Sequence, residues 1–113
     1  MLFRRTSSLS PKEAAAAFQR GELQLVDVRE AAEVASLRVE GATHIPLRTL
    51  PSRFGALDRD RPVAFLCRSG ARSAIATRAG AKAGLDAINV RGGVIAWSRA
   101  GLPLTAGAEG GAA

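Results

Sequence analysis

The sequence CRSGARS, residues 67–73, places the single cysteine of the 113-residue chain between two arginines. The apolar run PVAFL, residues 62–66, comes directly before it. A thiolate is a strong nucleophile, and positive neighbours favour it over the thiol. We therefore predict that Cys67 is a reactive thiolate beside an anion pocket. It suits attack on an anionic electrophile, such as a sulfur oxyanion or a phosphate ester.

The single cysteine also limits the chemistry that the chain can perform alone. It excludes an internal disulfide, a metal site made only of cysteines, and a second cysteine that could resolve an intermediate. His44 is the only histidine, so no His-rich zinc cluster can form. We therefore predict no metal and no cofactor, and a reducing, cytoplasmic location.

Apolar runs alternate with helical patterns along the chain, which is typical of an α/β domain. We predict a mostly parallel central sheet of four to five short strands with helices on both faces. One domain spans residues 1–113, with a core of about 7–105 and a flexible tail, 106–113. Strands are predicted at 23–28, 42–45, 62–66 and 87–90, and helices at 11–20, 29–37, 48–57, 72–83 and 94–100.

Two polar residues, Asp27 and Cys67, follow apolar runs at the carboxyl ends of predicted strands. Ligands of such sheets bind beyond these ends. The loop after Cys67 can curl so that its N–H groups face inward, with the amino end of the next helix adding further donors. The predicted binding loop consists of Arg68, Ser69, Gly70, Ala71, Arg72 and Ser73.

Four segments, in order and with matching spacing, carry a resemblance to a known family. They are LVDVRE (25–30), GATHIPL (41–47), CRSGARS (67–73) and GGVIAWSRAGLPL (92–104). Together they resemble the rhodanese-like sulfurtransferases in their single-domain form, over residues 7–105. One departure lies at 37–40, which reads Leu-Arg-Val-Glu where the family often has Gly-His-Ile-Pro.

The resemblance implies sulfur transfer through a persulfide on Cys67. The sulfur would come from thiosulfate or a similar small anionic donor and pass to cyanide in an assay, or to a thiol or protein acceptor in the cell. The N–H groups of the loop would hold the outer sulfur. Arg72 would fix the loop or the oxyanion of the donor, and Arg68 would add charge at the mouth. Asp27 and Arg29 would support the site.

The length of the loop separates two related chemistries. Four residues lie between Cys67 and Arg72, whereas related phosphatases and arsenate reductases use a loop with one more residue. The shorter loop suits a single outer sulfur. CRSGARS also offers no acid to protonate a leaving oxygen. Both points favour sulfur transfer over phosphate ester hydrolysis or arsenate reduction.

Several neighbouring residues have predicted structural roles. Ser73 is expected to cap the following helix, and Arg29 and Glu30 to brace the site through ion pairs. His44 is expected to be a structural hydrogen-bonding residue on a short strand. Trp97 is expected to anchor the last helix in the core.

Two alternatives of different classes stay open beside the oxyanion enzymes. One is a binding module that uses the fold without chemistry. The other, weaker alternative is nucleic-acid binding through the formal charge of +6, which aromatic residues at 4% do not favour. We predict no nucleic acid or membrane partner, and a monomer.

Overall fold

The computed structural model describes residues 7–107 and has a parallel sheet at its centre. A 3-10 helix, Leu47–Ala56, joins the fourth and fifth strands. The other elements are β1 (Ser8–Leu9), α1 (Pro11–Gln19), β2 (Gln24–Asp27), α2 (Ala31–Ser36), β3 (Leu37–Arg38), β4 (Thr43–His44), β5 (Val63–Leu66), α3 (Ala71–Lys82), β6 (Ala87–Val90), α4 (Gly93–Arg99) and β7 (Thr105–Ala106).

Five parallel strands form the main sheet in the order β1-β6-β5-β2-β4. The strand that leads to Cys67 is therefore the central one, paired along its length with β2 and β6. This sheet confirms the predicted fold class. The edge strand β1 was not predicted, because two residues are too few to show an alternating pattern.

Alternating side chains of the central strands build two separate cores, one on each face of the sheet. On one face, Leu25 and Leu66 pack with α1 and with Trp97 of α4. On the other face, Val26 and Phe65 pack with α3 and with the 3-10 helix. Cys67 belongs to the second core.

The first helix begins as its sequence predicts. The Ser10 hydroxyl accepts a hydrogen bond from the N–H of Glu13 at 3.2 Å, and the Glu13 carboxylate accepts one from the N–H of Ser10 at 2.9 Å. Pro11 occupies the first turn. This capping box fixes the start of α1, which packs on one face of the sheet.

The second helix and the tail differ from their predictions. The helix expected over 29–37 is shorter, and Leu37–Arg38 leaves it as strand β3. This strand pairs antiparallel with β7, so Ala106, which was expected in the flexible tail, lies in a strand. Residues 108–113, the rest of that tail, lie outside the described residues. No helix within 7–107 is long and apolar enough to cross a membrane.

Candidate active site

The sulfur of Cys67 lies at the carboxyl edge of the sheet, directly after the central strand β5. The residue is only 1% exposed. Two donors contact the sulfur: the backbone N–H of Gly70 at 3.1 Å and the hydroxyl of Ser73 at 3.3 Å. The loop thus curls around the sulfur, with a backbone donor aimed at it.

The loop turns at Gly70, whose backbone has a left-handed conformation. Gly70 has φ of +108° and is the N-cap residue of α3. A Cβ there would lie 3.2 Å from the backbone nitrogen of Gly92, in a conformation that L side chains rarely adopt. Glycine at position 70 therefore permits both the turn and the close approach of the neighbouring chain.

The first turn of α4 binds the other side of the loop through two hydrogen bonds. The N–H of Val94 donates to the carbonyl of Cys67 at 2.8 Å, and the N–H of Ile95 donates to the carbonyl of Arg68 at 3.1 Å. The N–H groups in the first turn of a helix have no partner within that helix. The two contacts therefore give partners both to N–H groups of α4 and to carbonyls of the loop. The carbonyls of Cys67 and Arg68 therefore point at α4.

The environment of the thiol favours the thiolate. Burial raises the pKa of the Cys67 thiol, but hydrogen bonds outweigh this effect and leave the pKa lowered. The groups that lower the pKa are the Ser73 hydroxyl and the backbone N–H groups of Ser73, Gly70 and Ser69, of which the Gly70 N–H and the Ser73 hydroxyl lie within hydrogen-bond distance of the sulfur. The lowered pKa agrees with the predicted thiolate, but its cause is the hydrogen-bond donors rather than the two arginines.

Ser73 has a different position from the predicted one. It lies in the first turn of α3, where Gly70 is the N-cap residue, so the prediction of a capping role is wrong. Its hydroxyl contacts the sulfur and also the Oδ1 atom of Asn89, at 2.5 Å. The Nδ2 atom of Asn89 donates to the carbonyl of Gly70 at 3.4 Å, which fixes the orientation of the amide.

Asn89 is thus a site residue that the sequence analysis missed. A serine hydroxyl has one proton, so Asn89, the carbonyl of Gly70 at 3.2 Å and the sulfur of Cys67 compete for it. The signal in the sequence was a polar residue at the third position of an otherwise apolar strand, AINV.

We expect Ser73→Ala to raise the pKa of Cys67, because the thiolate then loses a hydroxyl donor. The rate of alkylation by iodoacetamide, measured from pH 5 to 10, should shift to higher pH. At pH 7 the rate should fall by about tenfold. Ser69→Ala is the matched control, because Ser69 acts on the sulfur through its backbone N–H, which alanine keeps. Identical profiles for Ser73→Ala and the wild type would contradict the role of the hydroxyl.

Arg72 is held by a residue that the sequence analysis did not select. Its guanidinium forms two parallel hydrogen bonds of 2.8 Å to the carboxylate of Glu33 in α2. These bonds lower the pKa of Glu33 to about 2, against the cost of burial. Arg72 thus ties α3, and with it the loop, to α2, which agrees with the first of its two predicted roles.

Asp27 and Arg29 form a buried ion pair at the end of β2, with side chains 1% and 5% exposed. The shortest contact, from Nη2 of Arg29 to Oδ2 of Asp27, is 2.7 Å. The same Nη2 atom donates to the carbonyl of Leu37 at 2.7 Å. The pair therefore links β2 to β3. Glu30 does not share this buried pair. It contacts Arg48 at 3.4 Å on the surface.

Three more predicted residues are accounted for. His44 is a structural hydrogen-bonding residue, with Nε2 2.7 Å from the carbonyl of Arg29, as expected. Trp97 is buried, and its indole N–H donates to the carbonyl of Pro103 at 3.0 Å, which confirms its role as an anchor. Arg68 is exposed, and within 7–107 it forms no ion pair.

Comparison with known proteins agrees with this arrangement. The sequence profile described as "Rhodanese-like domain" matches residues 10–100. The chain belongs to the rhodanese-like family. The match includes β2, the cysteine loop and both helices that hold that loop, so the whole candidate site lies inside it.

Relatives and solved structures extend this result. A sulfurtransferase of Allochromatium vinosum is 41% identical over 86 residues, which span 75% of this chain and 80% of that protein. The YtwF protein of Bacillus subtilis is 41% identical over 76 residues, which span 67% of this chain and 74% of the relative. A crystal structure of a rhodanese-related protein from Thermoplasma volcanium is similar with a TM-score of 0.81 and 28% identity, covering 87% of this chain and 96% of that one.

Proposed function

We propose that this rhodanese-like protein is a sulfurtransferase that carries a sulfane sulfur as a persulfide on Cys67. Thiosulfate or a similar anionic compound is the donor, and a thiol is the acceptor. The observation that carries this proposal is the contact of the Cys67 sulfur with two donors of the loop and of α3, the Gly70 N–H at 3.1 Å and the Ser73 hydroxyl at 3.3 Å. The sulfurtransferase relative from Allochromatium vinosum supports it.

The first half-reaction loads the sulfur. The thiolate of Cys67 attacks the outer sulfur of thiosulfate, and a bond forms between Sγ and that sulfur. The S–S bond of thiosulfate breaks, and sulfite leaves with the electron pair. The negative charge that remains on the outer sulfur lies near the loop, where backbone N–H groups stabilise it.

The second half-reaction transfers the outer sulfur from Cys67 to the acceptor. A thiolate, or cyanide in an assay, attacks the outer sulfur, and the bond between that sulfur and Sγ breaks. Sγ leaves as a thiolate with the electron pair. The hydroxyl of Ser73 and the N–H of Gly70 are placed to stabilise this leaving group. Donor and acceptor react in turn at one atom, so the kinetics are ping-pong.

The surroundings of the loop favour this chemistry over hydrolysis of a phosphate ester. A leaving alkoxide needs a protonated acid, whereas sulfite leaves as a stable anion. The carboxylates of Asp27 and Glu33 are both bound to arginines: Asp27 to Arg29, and Glu33 to Arg72. The pKa of Glu33, about 2 through its hydrogen bonds to Arg72, keeps that carboxylate ionised at neutral pH.

Intact-mass spectrometry tests the proposal directly. The purified protein is mixed with thiosulfate in the absence of cyanide, beside Cys67→Ala. We expect the wild type alone to gain the mass of one sulfur atom, and cyanide to remove it with release of thiocyanate. Wild type that gains no sulfur at millimolar thiosulfate would contradict thiosulfate as donor. Cys67-dependent turnover of an aryl phosphate or of arsenate would favour an oxyanion enzyme instead.

A further inference from the structure

A groove of about 460 Å³ runs beside the cysteine loop, between the end of α2 and the outer face of α4. Its volume falls in the range of roughly 300–1,000 Å³ that small-molecule sites occupy. Leu37, Val94 and Ile95 supply an apolar wall, and Arg68 and Arg99 supply charge. A groove with both characters suits a small amphipathic ligand.

The groove is joined rigidly to the nucleophile. Arg68, which lines the groove, is the residue after Cys67. Val94 and Ile95 on its wall donate their backbone N–H groups to the carbonyls of Cys67 and Arg68, at 2.8 Å and 3.1 Å. The wall of the groove therefore has a fixed position relative to the loop that would hold the persulfide.

The charge in the groove is positive once its ion pairs are taken into account. Glu33 also lines the groove, but the guanidinium of Arg72 binds its carboxylate at 2.8 Å. Arg29 lines the groove as well, and Asp27 neutralises it. Arg68 and Arg99 are exposed, and neither is in an ion pair within the part of the chain that the structure describes. These two arginines leave the groove attractive to anions.

We propose that this groove binds the sulfur acceptor and selects a small thiol that carries at least one carboxylate. The carboxylate lies against Arg99 and Arg68, and the hydrocarbon part packs on Val94 and Ile95. The thiol enters the transfer as a thiolate, having lost its proton to solvent. It attacks the outer sulfur, the bond from that sulfur to Sγ breaks, and Sγ retains the electron pair. The acceptor leaves as a persulfide.

This inference rests on the proposed function, so the test separates the two. Persulfide formation on Cys67 is scored first by intact mass. Its absence with thiosulfate counts against the proposed donor, and protein loaded with inorganic polysulfide then serves for the groove test. The rate at which the persulfide is discharged is measured with mercaptosuccinate, which carries two carboxylates, and with neutral 2-mercaptoethanol.

The variant is Arg99→Glu, and Arg53→Glu is its control. Both arginines are exposed and both lie in the last turn of a helix, so the two changes alter the net charge and the interaction with the helix dipole alike. Arg53 lies outside the groove. Each thiol is used with the wild type and with both variants. The intrinsic reactivity of the thiol is the same in all three, so it cancels when their rates are compared.

We expect Arg99→Glu to lower the ratio of the mercaptosuccinate rate to the 2-mercaptoethanol rate by about fivefold, and Arg53→Glu to leave it unchanged. The ratio in the wild type should also fall with added salt. Equal ratios in Arg99→Glu and the wild type would overturn the proposal. An equal fall in both variants would assign the effect to net charge and would also overturn it. A wild-type persulfide that neither thiol discharges would point to a protein acceptor instead.

Discussion

Replacing Asp27 by alanine is expected to lower the free energy of unfolding by about 3–5 kcal/mol. Asp27 and Arg29 are both buried, and four hydrogen bonds run from Arg29 to the carboxylate. Without the carboxylate, the guanidinium stays buried with, among residues 7–107, only the carbonyls of Leu37 and Glu33 as partners. Domains of ordinary stability unfold with about 5–15 kcal/mol, so this is a large share.

Asp58→Ala is the matched control for this measurement. Asp58 binds Arg61 at 2.8 Å with the same ion-pair chemistry, but both side chains are about two-fifths exposed, at 39% and 42%. Exposed pairs contribute about 0–1 kcal/mol. Urea unfolding of both variants at pH 7 gives the comparison. If the two free energies fell by the same amount, burial of the Asp27 pair would not matter. A neutral pair, Asp27→Leu with Arg29→Met, should recover part of the loss.

The sequence predicted the central part of the fold because the signals for it are local. The apolar runs 23–28 and 62–66 have the length and composition of buried strands, and both form strands of the sheet. Gly70 lies in the loop that the sequence predicted to curl, and it has positive φ. Each of these features depends on a few consecutive residues, which a sequence displays directly.

The sequence did not predict the partners of the site, because those contacts join distant positions. Glu33 and Arg72 are 39 residues apart, and Asn89 and Ser73 are 16 apart. Their meeting depends on how helices dock on the sheet, which no local pattern encodes. Strands β3 and β7 have two residues each, so pairing between them decided their structure rather than propensity.

The arginines beside Cys67 show the same limit. Their position in CRSGARS suggests two charges aimed at the thiol, yet Arg72 forms its shortest contacts with Glu33 and Arg68 is exposed. The groups that lower the pKa of the thiol are mostly backbone N–H groups, which are present in every sequence and therefore give no compositional signal. Only the conformation of the loop, set by Gly70 and by the contact with α4, aims them.

Gly93→Ala is expected to disturb both stability and sulfur loading, through the contact between α4 and the loop. Gly93 has φ of +59°, and an added Cβ would overlap the carbonyl oxygens of both Cys67 and Arg68. The left-handed conformation costs alanine about 1–2 kcal/mol, and overpacking costs about 1–3 kcal/mol more. Because the overlap is with the backbone, the loop itself must move, and its N–H groups then lose their aim at the sulfur.

Gly101→Ala separates the two causes. Gly101 also has positive φ, +75°, but nothing lies within 4 Å of its added Cβ, so it bears only the conformational cost. The difference in the free energy of unfolding between the two variants therefore measures the overlap with the loop. Persulfide formation with thiosulfate should slow by at least tenfold in Gly93→Ala and stay at the wild-type rate in Gly101→Ala. Equal loading in both variants would mean that the loop keeps its geometry without the close approach of α4, and that the bonds from Val94 and Ile95 are dispensable for aiming its donors.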